Sequence, residues 1–209
     1  MPDIGLFPLG LALLPGERLP LHIFEPRYKE LINECIDTAS EFGIILLDSR
    51  GIRDVGTRAA VAEVLERYDD GRMDIVVEGS QRFRLLEIKA ERSFLTAEVE
   101  PLLDSTALPD RDVYEESLRE YRRVMTAAGV DLEEPVPDRL GLAFHLAARF
   151  RMGVDRKQEL LEMRSEVQRL ERIKELLEAS AALIRRQRIE KSAATNGRAD
   201  RLGPLGPLP

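Results

Sequence analysis

The segment LFPLGLALLPGERLPLHIFEPRYKELI, Leu6–Ile32, changes its hydrophobic period part-way along, and that change sets the fold class. Leu6–Leu14 is an apolar run cut by Pro8 and Gly10, and Pro15-Gly16 then reads as a turn. Leu19–Phe24 is a second apolar run, short enough for a strand. From Pro26 the period lengthens. Tyr28, Leu31, Ile32, Cys35, Ile36 and Ala39 recur at the spacing of one helical face, which predicts a helix over Pro26–Ala39. Pro26 suits its first turn, where a missing N–H breaks no intrahelical bond.

Downstream of this unit the strand signal continues. Phe42–Leu47 is a continuous apolar run of the kind a buried strand carries. Ala60–Tyr68 and Arg72–Glu78 flank Asp69-Asp70-Gly71, a hairpin signature in which Gly71 can take a positive φ. Gln81–Ile88 and Phe94–Pro101 are two further strands, the second alternating Leu95, Ala97 and Val99 with Thr96 and Glu98. Gly79 is read as a point where the chain passes close to a neighbouring strand. Glu25 is expected to pair with an arginine and tie the helix to the sheet. Arg82 and Arg84 alternate on one strand.

After Pro109 the period is helical. Asp110–Ala128, Asp138–Arg151 and Arg156–Met163 read as helices, with the acidic, proline-bearing Asp131–Pro137 as a loop. Ser165, with Gln168 three residues on, has capping-box spacing for a last helix running to about Lys191. Residues 192–209 end LGPLGPLP, and three leucines cannot offset the ordering entropy of such a Gly/Pro tail, which is read as disordered. The chain is therefore read as α+β. A twisted, barrel-like β subdomain with one helix spans 1–108, a helical bundle 109–191, and a tail 192–209.

Composition narrows the function. With 44% hydrophobic and 33% charged residues, the 209-residue chain can build a core and stay in solution. The net charge is −7, and residues 1–184 carry −11 against +4 in the basic stretch from Arg185 onward. That balance makes nucleic acid an unfavoured partner, and the scarcity of aromatics (5%, no Trp) removes stacking platforms. No run approaches the ~20 apolar residues of a membrane span, and no secretory signal is visible, so a cytoplasmic protein is expected. Cys35 stands alone and reads as a small core residue.

Catalytic and cofactor motifs fail on inspection. Gly51 and Gly56 have phosphate-loop spacing, but Thr57-Arg58 follows where Lys and Ser/Thr are required. No G-x-G-x-x-G and no G-x-S-x-G occurs. His22 and His145 lack partners at metal-binding spacing. The five lysines lie in charged surroundings, and Asp69-Asp70 occupies a turn. No cofactor, no metal and no enzymatic activity are expected. Binding remains. The junction Leu13–Tyr28 holds more apolar residues than one strand and turn can readily bury, and such patches mark interaction sites. Leu13, Leu14, Pro15, Pro20, Phe24 and Tyr28 are the candidate polypeptide-binding residues.

Leu6–Ile32, VGT at Val55–Thr57, DGRMDIVVEGSQRFRLLEI at Asp70–Ile88, KQELLEM at Lys157–Met163 and VQRLERIKELL at Val167–Leu177 together resemble the amino-terminal domain of the Lon proteases. The resemblance covers about residues 4–190. It implies a bipartite domain, a PUA-like β subdomain followed by helices, that recognises protein substrates and aids assembly. It implies, for this chain, a stand-alone substrate-binding-domain protein without the ATPase and Ser-Lys protease modules. The expected partners are unfolded or apolar protein segments, a full-length Lon protease for which the chain would be an adaptor, or further copies in a homo-oligomer. RNA binding through the PUA-like fold is the other alternative.

Overall fold

The computed structural model describes residues 3–105, 109–128, 141–149 and 152–179, together with Ala182 and Arg186. Six strands are joined into one mixed sheet: β1 (Ile4–Leu9), β2 (Arg18–Ile23), β3 (Phe42–Asp48), β4 (Gly51–Arg67), β5 (Met73–Lys89) and β6 (Thr96–Pro101). The order is β2-β5-β4-β3-β1-β6, and β5 also pairs with β6, so five strands close into a ring with β2 attached outside it. β1 and β3 are parallel, and the intervening β2 and helix α1 (Pro26–Thr38) supply the long crossover that parallel neighbours require. The remaining pairings are antiparallel.

The helix begins at Pro26 as its sequence directs and ends where Ala39 turns left-handed at φ 50°, its N–H returned to the last carbonyls. Its apolar face packs Tyr28, Leu31, Ile32 and Cys35 against Phe7, Phe42, Ile75 and Val77 in the larger core. A second core inside the ring gathers Ile4, Leu6, Ile45, Phe83, Ala97 and Val99.

Two strands are longer than the sequence pattern indicates. β4 starts at Gly51 rather than Ala60, because residues 51–59 pair with β3 across the turn after Asp48. β5 runs unbroken through Gly79 and joins the two segments read as separate strands. Gly79 does serve a close approach: a Cβ there would lie 2.5 Å from the carbonyl oxygen of Leu14. The chain around Leu14 is bound to this point by Gly16 N–H donating to Gly79 O (2.8 Å) and Gly79 N–H donating to Glu17 O (3.0 Å). Gly71 takes φ 80° at the hairpin tip.

After Pro109 the described helices are α2 (Arg111–Ala128), α3 (Leu142–Ala147), α4 (Val154–Glu162) and α5, helical over 166–179. Ser165 caps α5, its Oγ accepting from Gln168 N–H at 3.4 Å. The chain divides into two compact units, 1–109 with 136–169, and 110–135 with 170–209. Helices α3 and α4 therefore fall in the unit that holds the strands, while α2 and the part of α5 from Leu170 fall in the other. The physical reason is a set of buried polar ties. Arg82 on β5 donates to Leu161 O and Met163 O, each at 2.6 Å, and Gln158 on α4 donates to Val55 O at 3.1 Å.

Within the second unit, α2 buries Leu118, Tyr121, Val124 and Met125, and α5 buries Leu170, Ile173 and Leu177. Lys174 donates to Glu116 at 2.6 Å. The loop Asp131–Pro137, the basic cluster Arg185–Lys191 apart from Arg186, and the tail 192–209 lie outside the described residues.

Candidate polypeptide-binding surface

The six candidate residues separate into core and surface. Leu14 is 0% exposed and Leu13 and Tyr28 are also buried, so none of the three offers a surface to a partner. The loop that carries the two leucines is fixed from beneath: Thr57 Oγ1 donates to Leu13 O at 2.6 Å in a buried bond, and Leu14 N–H donates to Glu17 Oε2 at 3.0 Å. Tyr28 stacks on Phe7 with ring centroids 4.0 Å apart. Pro15 is half-buried, Pro20 is exposed, and Phe24 is 59% exposed. Glu25 pairs locally with Arg27 (2.6 Å), not with an arginine of the sheet.

Phe24 stands beside a polar cluster at the hairpin end. Its ring lies 6.0 Å from that of His22, whose Nδ1 is 2.5 Å from Asp74 Oδ1. Tyr68 donates its hydroxyl proton to the other Asp74 oxygen at 2.8 Å. The hydrogen bond to Asp74 holds the Tyr68 proton and pushes its pKa up to about 12. The His22 and Tyr68 hydrogen bonds hold the Asp74 carboxyl below the usual range. The His22–Asp74 and Tyr68–Asp74 bonds tie β2 to the hairpin end, and Phe24 beside them stays more than half exposed.

A second surface lies along β4 and was not among the candidates. Beyond Ala59 the strand has no partner on its β3 side among the described residues, because β3 begins at Phe42. A groove of about 320 Å³ lies there, lined by Cys35 and Ile36 of α1, by Ala39 just after it, and on β4 by Ala60, Val61, Glu63 and Val64. Val64 is 37% and Leu65 55% exposed. Burial pushes the Cys35 thiol up, which keeps it in its neutral form as a wall of the groove. The one sequence signal was the imperfect alternation of VAEVL, Val61–Leu65, inside a run read as an ordinary hairpin strand.

Residues 3–179 match the family described as the ATP-dependent protease La (Lon) substrate-binding domain. The chain belongs to the Lon substrate-binding domain family. Lon protease 1 of Hydrogenovibrio crunogenus is 22% identical over 190 residues, covering 83% of this chain and 23% of that protein. The Lon protease of Anaeromyxobacter dehalogenans is 27% identical over 191 residues, 83% of this chain and 22% of its own. The chain thus spans less than a quarter of the length of these relatives. The crystal structure of a Lon N-terminal domain protein from Xanthomonas campestris superposes with a TM-score of 0.64 at 24% identity, covering 83% of this chain and 97% of that one. That likeness shows the fold: the mixed, strand-rich Lon N-terminal architecture with several helices. No helix among the described residues is long and apolar enough to cross a membrane. No group of three or more metal-ligating side chains occurs among them either.

Proposed function

We propose that this Lon-family domain binds segments of other polypeptides without chemistry of its own, favouring unfolded segments with exposed apolar side chains. The observation that carries the reading is the match over residues 3–179 to a domain described as binding the substrates of a protease, since a protease's substrates are polypeptides. Exposed Pro20 and Phe24 and the apolar groove beside β4 support it, because each offers apolar surface at the rim of a folded sheet. Shallow contacts of this kind are individually weak. A Kd of about 1 μM corresponds to roughly −8 kcal/mol, and a second contact on the same polypeptide adds avidity. The buried, lone Cys35 suits a reducing cytoplasm.

The test is a titration of the full chain into a fluorescent, permanently unfolded polypeptide with alkylated cysteines, with its folded parent as control, read by anisotropy at two salt concentrations. Salt-tolerant binding of the unfolded form alone is expected. Binding of neither form, or equal binding of both, would overturn the reading.

A further inference from the structure

The strand β4 is paired on both sides only as far as Ala59. From Ala60↔Glu78 to Arg67↔Met73 it pairs with β5 alone, so backbone N–H and C=O groups along its other edge have no strand partner among the described residues. The chemistry that satisfies such a row is another extended backbone. Here the row borders a ready-made recess. Ala39, Ala60 and Ala62 leave room along the groove, while Ile36, Val61 and Val64 present its apolar surface.

The recess has defined ends. Ser80 donates to Glu41 at 2.5 Å and Arg58 lies 4.0 Å from Glu41 where β3 begins. At the other end Arg67 donates to Asn33 of α1 at 3.0 Å. Between these ends lie about six residues of strand, or roughly 20 Å at ~3.3 Å per residue. Glu63 is the single charged residue lining the groove. Its cation, Arg18, is 4.0 Å away, and both side chains are more than half exposed.

The edge is also guarded. Register shifts between Val61 and Glu63 and between Val64 and Glu66 interrupt the regular ladder, which limits indiscriminate strand stacking. The other open strand, β2, carries Pro20 in its middle, which has no N–H to donate. That makes β2 the poorer acceptor of a strand.

We propose that the free edge of β4 between Ala60 and Glu66 takes up an extended polypeptide segment by strand addition. Apolar side chains of the segment fill the recess beside Ile36 and Val64, and a basic side chain faces Glu63. This rests on the polypeptide-binding reading above and places the contact.

The experiment is backbone amide hydrogen exchange of the full chain, alone and saturated with the same unfolded polypeptide. Binding is expected to slow exchange about tenfold or more within residues 60–66. Val64→Lys, at an exposed position that lines the groove, is expected to weaken binding about tenfold with unchanged thermal unfolding. A short alternating Val/Thr peptide with a central Lys should bind more tightly than its Glu counterpart. Retained binding with protection at 18–24 and none at 60–66 would overturn the strand-addition site and leave the polypeptide reading standing. Absence of binding would overturn both. Protection at 60–66 in the protein alone, rising with its concentration, would overturn the proposal in favour of a second copy as occupant.

Discussion

Arg82 of β5 and Asp104 form an ion pair in which the arginine side chain is 4% exposed. The same carboxylate also receives Arg169, which in turn donates to Glu166 at 2.5 Å, and Arg169 and Glu166 are fully buried. Glu166 accepts from Ala143 N–H at 2.8 Å, and both guanidinium groups lie over the Phe144 ring at 5.2 and 4.4 Å. Two cations and two anions thus balance within one cluster that joins β5, the segment after β6, α3 and α5. Burial outweighs attraction at Arg82, which is pulled down, while two carboxylates outweigh it at Arg169, which is raised.

Removing one member leaves an uncompensated buried charge. Asp104→Ala should cost roughly 3–5 kcal/mol, measured by urea unfolding, because two arginines lose a shared partner. Arg82→Met should also remove the bonds to Leu161 O and Met163 O and loosen α4, seen as faster amide exchange over Val154–Glu162. A loss under about 1 kcal/mol for Asp104→Ala would show that the cluster contributes little.

The same carboxylate gives acid sensitivity a sign. Burial would raise the Asp104 pKa, but the hydrogen bonds and charges of Arg169 and Arg82 outweigh it and hold it below 3.8. A folded value below the unfolded one means the stabilisation is complete above about pH 4 and is lost as pH falls through the folded value. Asp104→Asn should therefore lower stability at neutral pH and flatten the acid limb of a stability profile.

Leu14 and Phe24 test core against surface. Leu14→Asp should unfold the protein, and Leu14→Ala should cost roughly 2–5 kcal/mol, since the side chain is fully enclosed. Phe24→Ser should leave thermal unfolding unchanged and weaken polypeptide binding by about two- to fivefold, the scale of one partly exposed apolar contact. Calorimetry with the anisotropy titration separates the two.

Gly79→Ala should destabilise by roughly 1–3 kcal/mol. The added carbon meets the Leu14 carbonyl oxygen at 2.5 Å, and that backbone is bound on both sides and cannot step aside cheaply. Denaturant unfolding measures the loss.

The Tyr68 phenol should titrate near 12 in the folded protein. In Asp74→Asn it should fall part of the way toward the ordinary value of about 10, because the larger of its two carboxylate acceptors is gone while Glu66 still holds the proton. Carbon NMR of ring-labelled tyrosine follows this directly.

Much of the fold was legible along the chain. The helix Pro26–Thr38 followed from Pro26 and an apolar stripe, the hairpin from Asp70-Gly71, the cap of α5 from Ser165 and Gln168, and the family from the order of its motifs. The helix, hairpin and cap are local: a period, a cap or a turn is set by residues within a few positions of one another. What tertiary structure alone decided was pairing and burial. Leu13, Leu14, Pro20 and Phe24 are all apolar neighbours in sequence, yet Thr57, Gly79 and Glu17 enclose the first two and leave the last two outside. The placing of α4 with the strands turned on Arg82 and Gln158, whose partners Leu161, Met163 and Val55 stand far from them in the chain. The open edge at Ala60–Arg67 exists because β3 starts at Phe42 and runs out of residues opposite Ala59. Side-chain period is a property of one strand, whereas an exposed edge is a property of the partner it lacks.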